Sequence, residues 1–67
     1  MIKEYERVVT LVDKTEAGKC YPKGTIGVIV SLYSNGNACE VEVWDDTGYP
    51  IDVVTYETNE VKVISSK

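Results

Sequence analysis

The chain has 67 residues, which leaves room for one small domain; we expect it to span residues 1–67, with a core at about 7–64. Hydrophobic residues make up 43% and charged residues 27%, so the composition is globular and excludes a disordered chain. The chain contains no histidine, the side chain most often used for proton transfer near neutral pH and the commonest metal ligand. We therefore expect a non-enzymatic protein with no catalytic residues, no metal and no cofactor.

The formal net charge is −4, and most of it lies in the second part of the chain. Residues 1–39 carry five basic and four acidic side chains, whereas residues 40–67 carry two basic and seven acidic ones. Such a distribution argues against binding to nucleic acid or to an anionic membrane surface. It favours a basic protein partner, although a charge of this size also serves solubility alone.

Cysteine usage and the N-terminus indicate a cytoplasmic protein. Cys20 and Cys39 allow only one intramolecular bridge, fewer than secreted domains of this size usually contain. The first residues have no apolar run of signal-peptide length, and no stretch approaches the ~20 apolar residues of a membrane span. Because the chain lacks a histidine base, Cys20 is interpreted as an ordinary loop cysteine, and whether it ever pairs with Cys39 stays open.

The predicted elements are short β-strands separated by turn residues. A polar loop of twelve residues, 13–24, follows the first strand, and residues 56–59 form a turn with 3-10 character before the last one. Pro50 lies near the start of the fourth strand, a position that proline tolerates. The strands are predicted at residues 7–12, 25–34, 37–44, 49–55 and 60–64. This pattern predicts an all-β fold, a small five-stranded antiparallel barrel.

The dipeptide Asn35–Gly36 predicts a hairpin with a two-residue type I′ turn. In the corresponding register Tyr33 faces Ala38 and Gly27 faces Trp44, and side chains alternate between the two faces of the sheet. The predicted core face contains Val28, Val30, Leu32, Cys39, Val41 and Val43. The predicted outer face contains Gly27, Ile29, Ser31, Tyr33, Ala38, Glu40, Glu42 and Trp44.

The segment 23–30, with the sequence KGTIGVIV, resembles the glycine-containing strand entry of SH3-like barrels, including KOW-type modules. The order of short motifs over about residues 7–64 is similar to a family of small bacterial proteins catalogued as a domain of unknown function. These motifs are VTLVD at 9–13, KG at 23–24, GVIV at 27–30, EVEVW at 40–44 and DDTG at 45–48. The resemblance implies an SH3-like barrel and, because members look like partners of toxin-like neighbours, an antitoxin or immunity role.

The candidate binding site is the outer face of the hairpin together with the acidic turn that follows it. Aromatic side chains are enriched at binding hot spots, and carboxylates two apart on a strand point the same way, about 7 Å apart. We expect the aromatic side chains to anchor a basic partner and the carboxylates to steer and pair with it. The predicted partner-binding residues are Tyr33, Trp44, Ile29, Glu40, Glu42, Asp45 and Asp46.

Each of these residues also has a purely structural interpretation. A barrel this small curls enough to half-bury Trp44, and an acidic strand face also discourages edge-to-edge aggregation. Two other functions stay open: an accessory subunit that docks onto a larger, possibly redox, complex, and a KOW-like module associated with nucleic acid. The acidic charge disfavours the last, and we expect no nucleic acid, membrane or small-molecule substrate among the ligands.

Overall fold

The structure of the protein, a computed structural model, describes residues 2–65. The outermost positions of the predicted domain, 1, 66 and 67, lie outside the described residues. The strands are β1 (Arg7–Thr10), β2 (Lys14–Glu16), β3 (Lys19–Tyr21), β4 (Ile26–Leu32), β5 (Ala38–Trp44), β6 (Pro50–Glu57) and β7 (Val61–Ser65). A 3-10 turn at Thr58–Glu60 precedes β7. The predicted all-β class is confirmed.

Five of the strands form one antiparallel sheet in the order β6-β5-β4-β1-β7. They correspond to the five predicted strands, with ends shifted by up to two residues. The sheet is not closed, because β6 and β7 are its two ends and do not pair with each other. The antiparallel sheet is therefore observed, while closure into a barrel is not.

The predicted polar loop at 13–24 is instead a second small sheet, the hairpin formed by β2 and β3. Lys14 pairs with Tyr21 and Glu16 with Lys19, so the connection consists of Ala17 and Gly18 alone. Both connecting residues have positive φ, +52° and +79°, as a type I′ turn requires. The sequence prediction missed this hairpin because alanine is an uncommon residue at the first position of such a turn.

A β-bulge in β4 overturns the predicted faces of the main hairpin. Leu32 pairs with Cys39 as predicted, but the register shifts between Ile29 and Ser31, so that Ile29 pairs with Val41. The one extra residue in β4 reverses the face of the sheet occupied by the side chains on the N-terminal side of the bulge. Ile29 consequently points into the core with no exposed surface, and its predicted position on the outer face is wrong. The predicted inward positions Val28 and Val30 are only partly buried.

The turn of this hairpin also differs from the prediction. The Tyr33 amide donates to the Ala38 carbonyl (3.0 Å) and the Gly36 amide to the Tyr33 carbonyl (2.9 Å), which encloses a loop of four residues. Gly36 has a φ of +75°, whereas Asn35 does not have positive φ. A two-residue type I′ turn is therefore not formed, although the predicted pairing of Tyr33 with Ala38 is kept.

The core lies between the inner face of the sheet and the β2–β3 hairpin. Tyr21 from the hairpin is buried with the strand residues, so the hairpin covers one side of the core. The predicted inward residues Cys39, Val41 and Val43 are buried, and Leu32 packs against them. The buried hydrophobic residues are Val8, Tyr21, Ile29, Cys39, Val41, Val43, Val54, Tyr56 and Val61.

Candidate functional site

The outer face of β5 carries three of the predicted binding residues, Glu40, Glu42 and Trp44, and all three are partly buried. Tyr33 lies beside the start of β5, since its amide bonds to Ala38, whereas Trp44 ends the strand. At about 3.3 Å per residue the two aromatic side chains are roughly 20 Å apart along the strand. The structure therefore divides the predicted patch into two separate clusters.

The first cluster is built around the carboxylate of Glu40. The Tyr33 hydroxyl donates to Glu40 Oε2 at 2.7 Å, and the Thr55 hydroxyl lies 3.0 Å from both carboxylate oxygens. The hydrogen bond to this carboxylate, reinforced by its negative charge, raises the pKa of Tyr33 above its usual value. Tyr33 is 47% exposed, so it presents an aromatic surface, but Glu40 is already held by two intramolecular donors.

The second cluster surrounds Trp44. Its indole Nε1 donates to Glu42 Oε1 at 3.2 Å, and the guanidinium carbon of Arg7 lies 5.3 Å from the indole ring centroid. Arg7 reaches this position from β1, so the cation–π contact connects β1 to β5 across the intervening β4. The indole is thus half-buried by neighbouring side chains and oriented by Glu42.

Asp45 organises the turn between β5 and β6. Its Oδ1 accepts hydrogen bonds from the Thr47 amide (2.9 Å), the Thr47 hydroxyl (2.7 Å) and the Tyr49 amide (2.9 Å). These donors, with the Thr47 hydroxyl the strongest, lower the pKa of Asp45. Asp45 is therefore a turn-forming residue, and both Asp45 and Asp46 are exposed.

Trp44, Asp45 and Asp46 line a cleft with a volume of about 660 Å³. A second wall of the cleft is the segment 19–26, which contains β3 and the connection to β4. Pro22, Ile26, Trp44 and Ile51 give the cleft an apolar lining, while Lys19 and Lys23 stand on one wall and the two aspartates on the other. Cys20, a free and exposed cysteine, also lines this cleft.

The wall formed by β3 is fixed to β6 through Asp52. The Tyr21 hydroxyl donates to Asp52 Oδ2 at 2.6 Å, and Lys19 Nζ lies 3.5 Å from the same oxygen. The bond to Asp52 raises the pKa of Tyr21 to about 12, and the same bond lowers the pKa of Asp52. Lys19 is thereby drawn toward β6, while the side chain of Lys23 stays exposed on the wall of the cleft.

The profile of a family described as a domain of unknown function, DUF4926, matches residues 4–63. The chain belongs to this family. The match includes every residue that lines the cleft, so the cleft is built within the DUF4926 domain. No curated protein and no solved structure matches the chain. The predicted membership of a family of unknown function is confirmed.

Sequence reasoning missed the second wall of the DUF4926 cleft. The sequence pattern places Lys19, Pro22 and Lys23 in the predicted loop, and Ile26 and Ile51 in predicted strands, and it indicates no binding role for them. The unusual length of the connection at 13–24 was the available signal, because long connections in compact domains often carry function.

The described part of the chain, residues 2–65, has no group of three or more histidine, cysteine or acidic residues placed to hold a metal ion. It also has no helix long and apolar enough to cross a membrane. Cys39 is a free thiol in the core, and burial raises its pKa.

Proposed function

We propose that the protein is a non-enzymatic protein-binding module, an antitoxin or immunity-type inhibitor of a basic partner. One observation carries the proposal: the open cleft in which Trp44, Ile26 and Ile51 lie beside the carboxylates of Asp45 and Asp46. Aromatic and apolar groups supply the contact area of protein interfaces, and surrounding charges decide which partner approaches. The volume of about 660 Å³ is within the range of sites that enclose a ligand.

The sign of the charge supports a basic partner. The stretch from Glu40 to Glu60 contains no lysine or arginine and supplies Trp44 and both aspartates of the cleft. The net charge of −4 attracts cationic proteins over distances of about a Debye length, ~8 Å at physiological salt. The partner's basic surface is therefore attracted to the acidic stretch between Glu40 and Glu60.

The residues proposed to bind the partner are redistributed relative to the sequence prediction. Trp44 is the anchor and Asp46 the main charged contact, while Asp45 holds the turn that presents them. Tyr33, at the far end of β5, forms a second contact with Glu40 as its support. Glu42 acts by orienting the indole. Ile29 has no part in binding because it is buried.

The architecture proposed for this module is an SH3-like barrel. Three features support it. They are the strand order β7-β1-β4-β5-β6, the β2–β3 hairpin between β1 and β4 in the chain, and the 3-10 turn before β7. Strong bending of the sheet would bring its two edge strands toward each other. The fold alone does not assign a function, so the argument for binding rests on the cleft.

An affinity capture from the native host at low salt, followed by binding measurements with the purified captured protein, tests the function. The expected result is one small basic protein that binds wild type and Glu4→Lys equally and loses affinity for Trp44→Ala and Asp46→Lys. Glu4 is an exposed residue outside the cleft, so Glu4→Lys makes the same charge change elsewhere. Inhibition of the captured protein's own activity by the wild-type chain would identify the antitoxin role.

Other outcomes contradict the proposal. Capture of a large assembly that resists high salt would indicate an accessory subunit, since interfaces dominated by exposed charges weaken with salt. A shift of RNA mobility at low salt would indicate the nucleic-acid-associated function. Equal binding by wild type, Trp44→Ala and Asp46→Lys would remove the cleft from the interface.

A further inference from the structure

The cleft beside Trp44 is bounded on one side by a free strand edge. The small sheet consists of β2 and β3, and within residues 2–65 β3 pairs with β2 alone. All three residues of β3 line the cleft, namely Lys19, Cys20 and Tyr21. An unpaired strand edge is able to accept a further strand through main-chain hydrogen bonds. The cleft therefore contains a place where an extended chain can pair.

The register of the β2–β3 hairpin determines which backbone groups point toward such a chain. The two-residue turn closes on Glu16 and Lys19, a pair that is hydrogen-bonded in turns of this kind. Because bonded and non-bonded pairs alternate along an antiparallel ladder, the amide and the carbonyl of Cys20 point away from β2. Among the described residues neither group has a hydrogen-bond partner. Cys20 thus offers one backbone donor and one backbone acceptor to the cleft.

The lining of the cleft is apolar and has no net charge. Its charged residues are two of each sign: Lys19, Lys23, Asp45 and Asp46. Its larger apolar residues are Pro22, Ile26, Trp44 and Ile51. The Trp44 ring already has a cation beside it, since the guanidinium carbon of Arg7 lies 5.3 Å from the ring centroid, and Arg7 is not one of the residues that line the cleft. A lining of this composition favours an apolar, uncharged occupant.

We propose that the cleft binds an extended, uncharged segment of the partner protein, which adds to β3 as a third strand of the small sheet. The backbone of Cys20 pairs with the segment, and an apolar side chain of the segment contacts Trp44 and Ile51. The acidic stretch between Glu40 and Glu60 attracts the basic partner as a whole, whereas the segment that enters the cleft carries no charge. This inference rests on the proposed function and names the part of the partner that occupies its site.

Trp44 is the only tryptophan of the chain and lines the cleft, so its fluorescence reports on occupancy. The probe is a short blocked peptide in which leucine and threonine alternate, titrated into the full-length protein. Two matched peptides carry N-methyl groups, one on every leucine and the other on every threonine, so that each has lost the amide donors of one strand edge. We expect the parent peptide to give a saturable fluorescence change that does not depend on salt. One methylated peptide binds about tenfold more weakly and the other like the parent, because only one edge of the bound strand faces β3.

Two pairs of substitutions in the protein locate the bound peptide. Cys20→Pro removes the free amide and weakens binding about fivefold, whereas Thr15→Pro removes the corresponding amide on the β2 side and has no effect. Ile51→Ser weakens binding about fivefold through the loss of apolar contact, whereas Val53→Ser has no effect. Ile51 and Val53 are equally exposed on β6, 51% each, but only Ile51 lines the cleft. Circular dichroism checks that each variant is folded, and the Ile51 and Val53 pair decides if a proline variant is not.

Equal affinity of the three peptides would overturn the strand addition, as would the absence of a fluorescence change or an Ile51→Ser protein that binds normally. If the chain associates with itself and Ile51→Ser abolishes that association, the segment belongs to a second copy and the partner assignment is overturned. If no peptide binds while a captured basic protein still loses affinity for Trp44→Ala, the proposed function stands and only the strand addition is excluded. If the captured protein binds Trp44→Ala normally, the proposed use of the cleft and this inference both fail.

Discussion

Gly27 illustrates how closely two strands approach at one residue. A Cβ atom added there would lie 2.5 Å from the Glu42 carbonyl oxygen and 2.7 Å from Val41 Cγ1. Gly27 faces Val43 across the hairpin, and not Trp44 as the sequence register predicted. The glycine is needed because the backbone of β5 and the Val41 side chain occupy the position of a side chain.

Gly27→Ala is therefore expected to lower the free energy of unfolding by about 1–3 kcal/mol, as overpacking of a core does. Urea denaturation followed by circular dichroism measures the effect. Ser31→Ala is the control, since Ser31 is an exposed residue of the same strand. If Gly27→Ala is as stable as the control, then the Glu42 carbonyl lies farther from the added Cβ atom than 2.5 Å.

The pair formed by Tyr21 and Asp52 links stability to pH in two ranges. The pKa of Tyr21 is raised to about 12 by its bond to the Asp52 carboxylate. The contribution of Tyr21 to the free energy of unfolding is therefore complete below pH ~10 and is lost as pH rises toward 12. The pKa of Asp52 is lowered by the same bond, so its contribution is present above pH ~4 and is lost as pH falls below that value.

Tyr21→Phe is accordingly expected to be less stable than wild type between about pH 5 and 9, with the difference shrinking below pH ~4 and above pH ~11. Urea denaturation at a series of pH values measures the two curves. Tyr5→Phe, which changes an exposed tyrosine, is expected to follow wild type throughout. A constant difference between Tyr21→Phe and wild type at all pH values would contradict the role of the Asp52 bond.

At the level of the elements, the β2–β3 hairpin contains an unfavourable residue in its turn. Ala17 has a φ of +52°, a left-handed conformation that costs a residue with a Cβ about 1 kcal/mol. Asparagine tolerates this conformation and is preferred before glycine in a type I′ turn. Ala17→Asn is therefore expected to raise the free energy of unfolding by about 0.5–1 kcal/mol.

The gain from Ala17→Asn is measured by chemical denaturation beside Thr15→Asn, which places the same residue in β2 where asparagine is disfavoured. If both substitutions have the same effect, the turn conformation of Ala17 is not the cause. The test also bears on the cleft, because the hairpin leads into the wall that contains Lys19 and Lys23.

The strands of the sheet could be predicted from sequence because their β-branched runs are separated by glycine, proline and acidic turns. The β2–β3 hairpin could not, because its turn uses Ala17 and its strands have only three residues each. The bulge at Ile29–Ser31 was equally hidden, since both registers of the run 26–32 place apolar side chains inward. That one shift moved Ile29 from the proposed surface into the core.

The candidate site could be predicted only in part, because some of its residues follow from local sequence patterns and others depend on contacts between distant segments. Trp44 and Asp46 follow from an aromatic strand end and an acidic turn, both visible as local sequence patterns. The wall of the cleft at 19–26 depends on where the hairpin folds back, which is a contact between segments distant in the chain. The role of Glu40 as a hydrogen-bond acceptor within the fold likewise depends on Thr55, which belongs to another strand, whereas the bonds of Asp45 to Thr47 and Tyr49 are local to one turn.

In the molecule as a whole, the open sheet has two edge strands, β6 and β7. Edge strands expose backbone groups that are able to pair with another chain. Side chains cap several of these groups on β6. The Val53 amide donates to Asp52 Oδ1 (3.1 Å), the Thr55 carbonyl accepts from Lys14 Nζ (3.1 Å), and the Glu57 amide donates to Glu60 Oε1 (3.0 Å). The β6 edge is thus protected by intramolecular bonds.

Lys14 is the central residue of this protection. Its ammonium also contacts Glu60 Oε1 at 2.9 Å and lies 4.6 Å from the centroid of the Tyr56 ring. The ion pair lowers the pKa of Glu60, and the side chains of both partners are mostly shielded, 21% and 24% exposed. One lysine therefore connects β2 to the edge strand, to the 3-10 turn and to a core aromatic ring.

Lys14→Ala is expected to lower the free energy of unfolding by about 1–2 kcal/mol and to promote concentration-dependent self-association, because the Thr55 carbonyl on the edge loses its donor. Denaturation measures the first effect, and light scattering over a range of protein concentrations measures the second. Lys23→Ala, the same charge change at an exposed position, is the control. If Lys14→Ala is as monomeric and as stable as Lys23→Ala, then the β6 edge is kept from pairing by its twist and its other charges, and the Lys14 bonds contribute nothing to solubility.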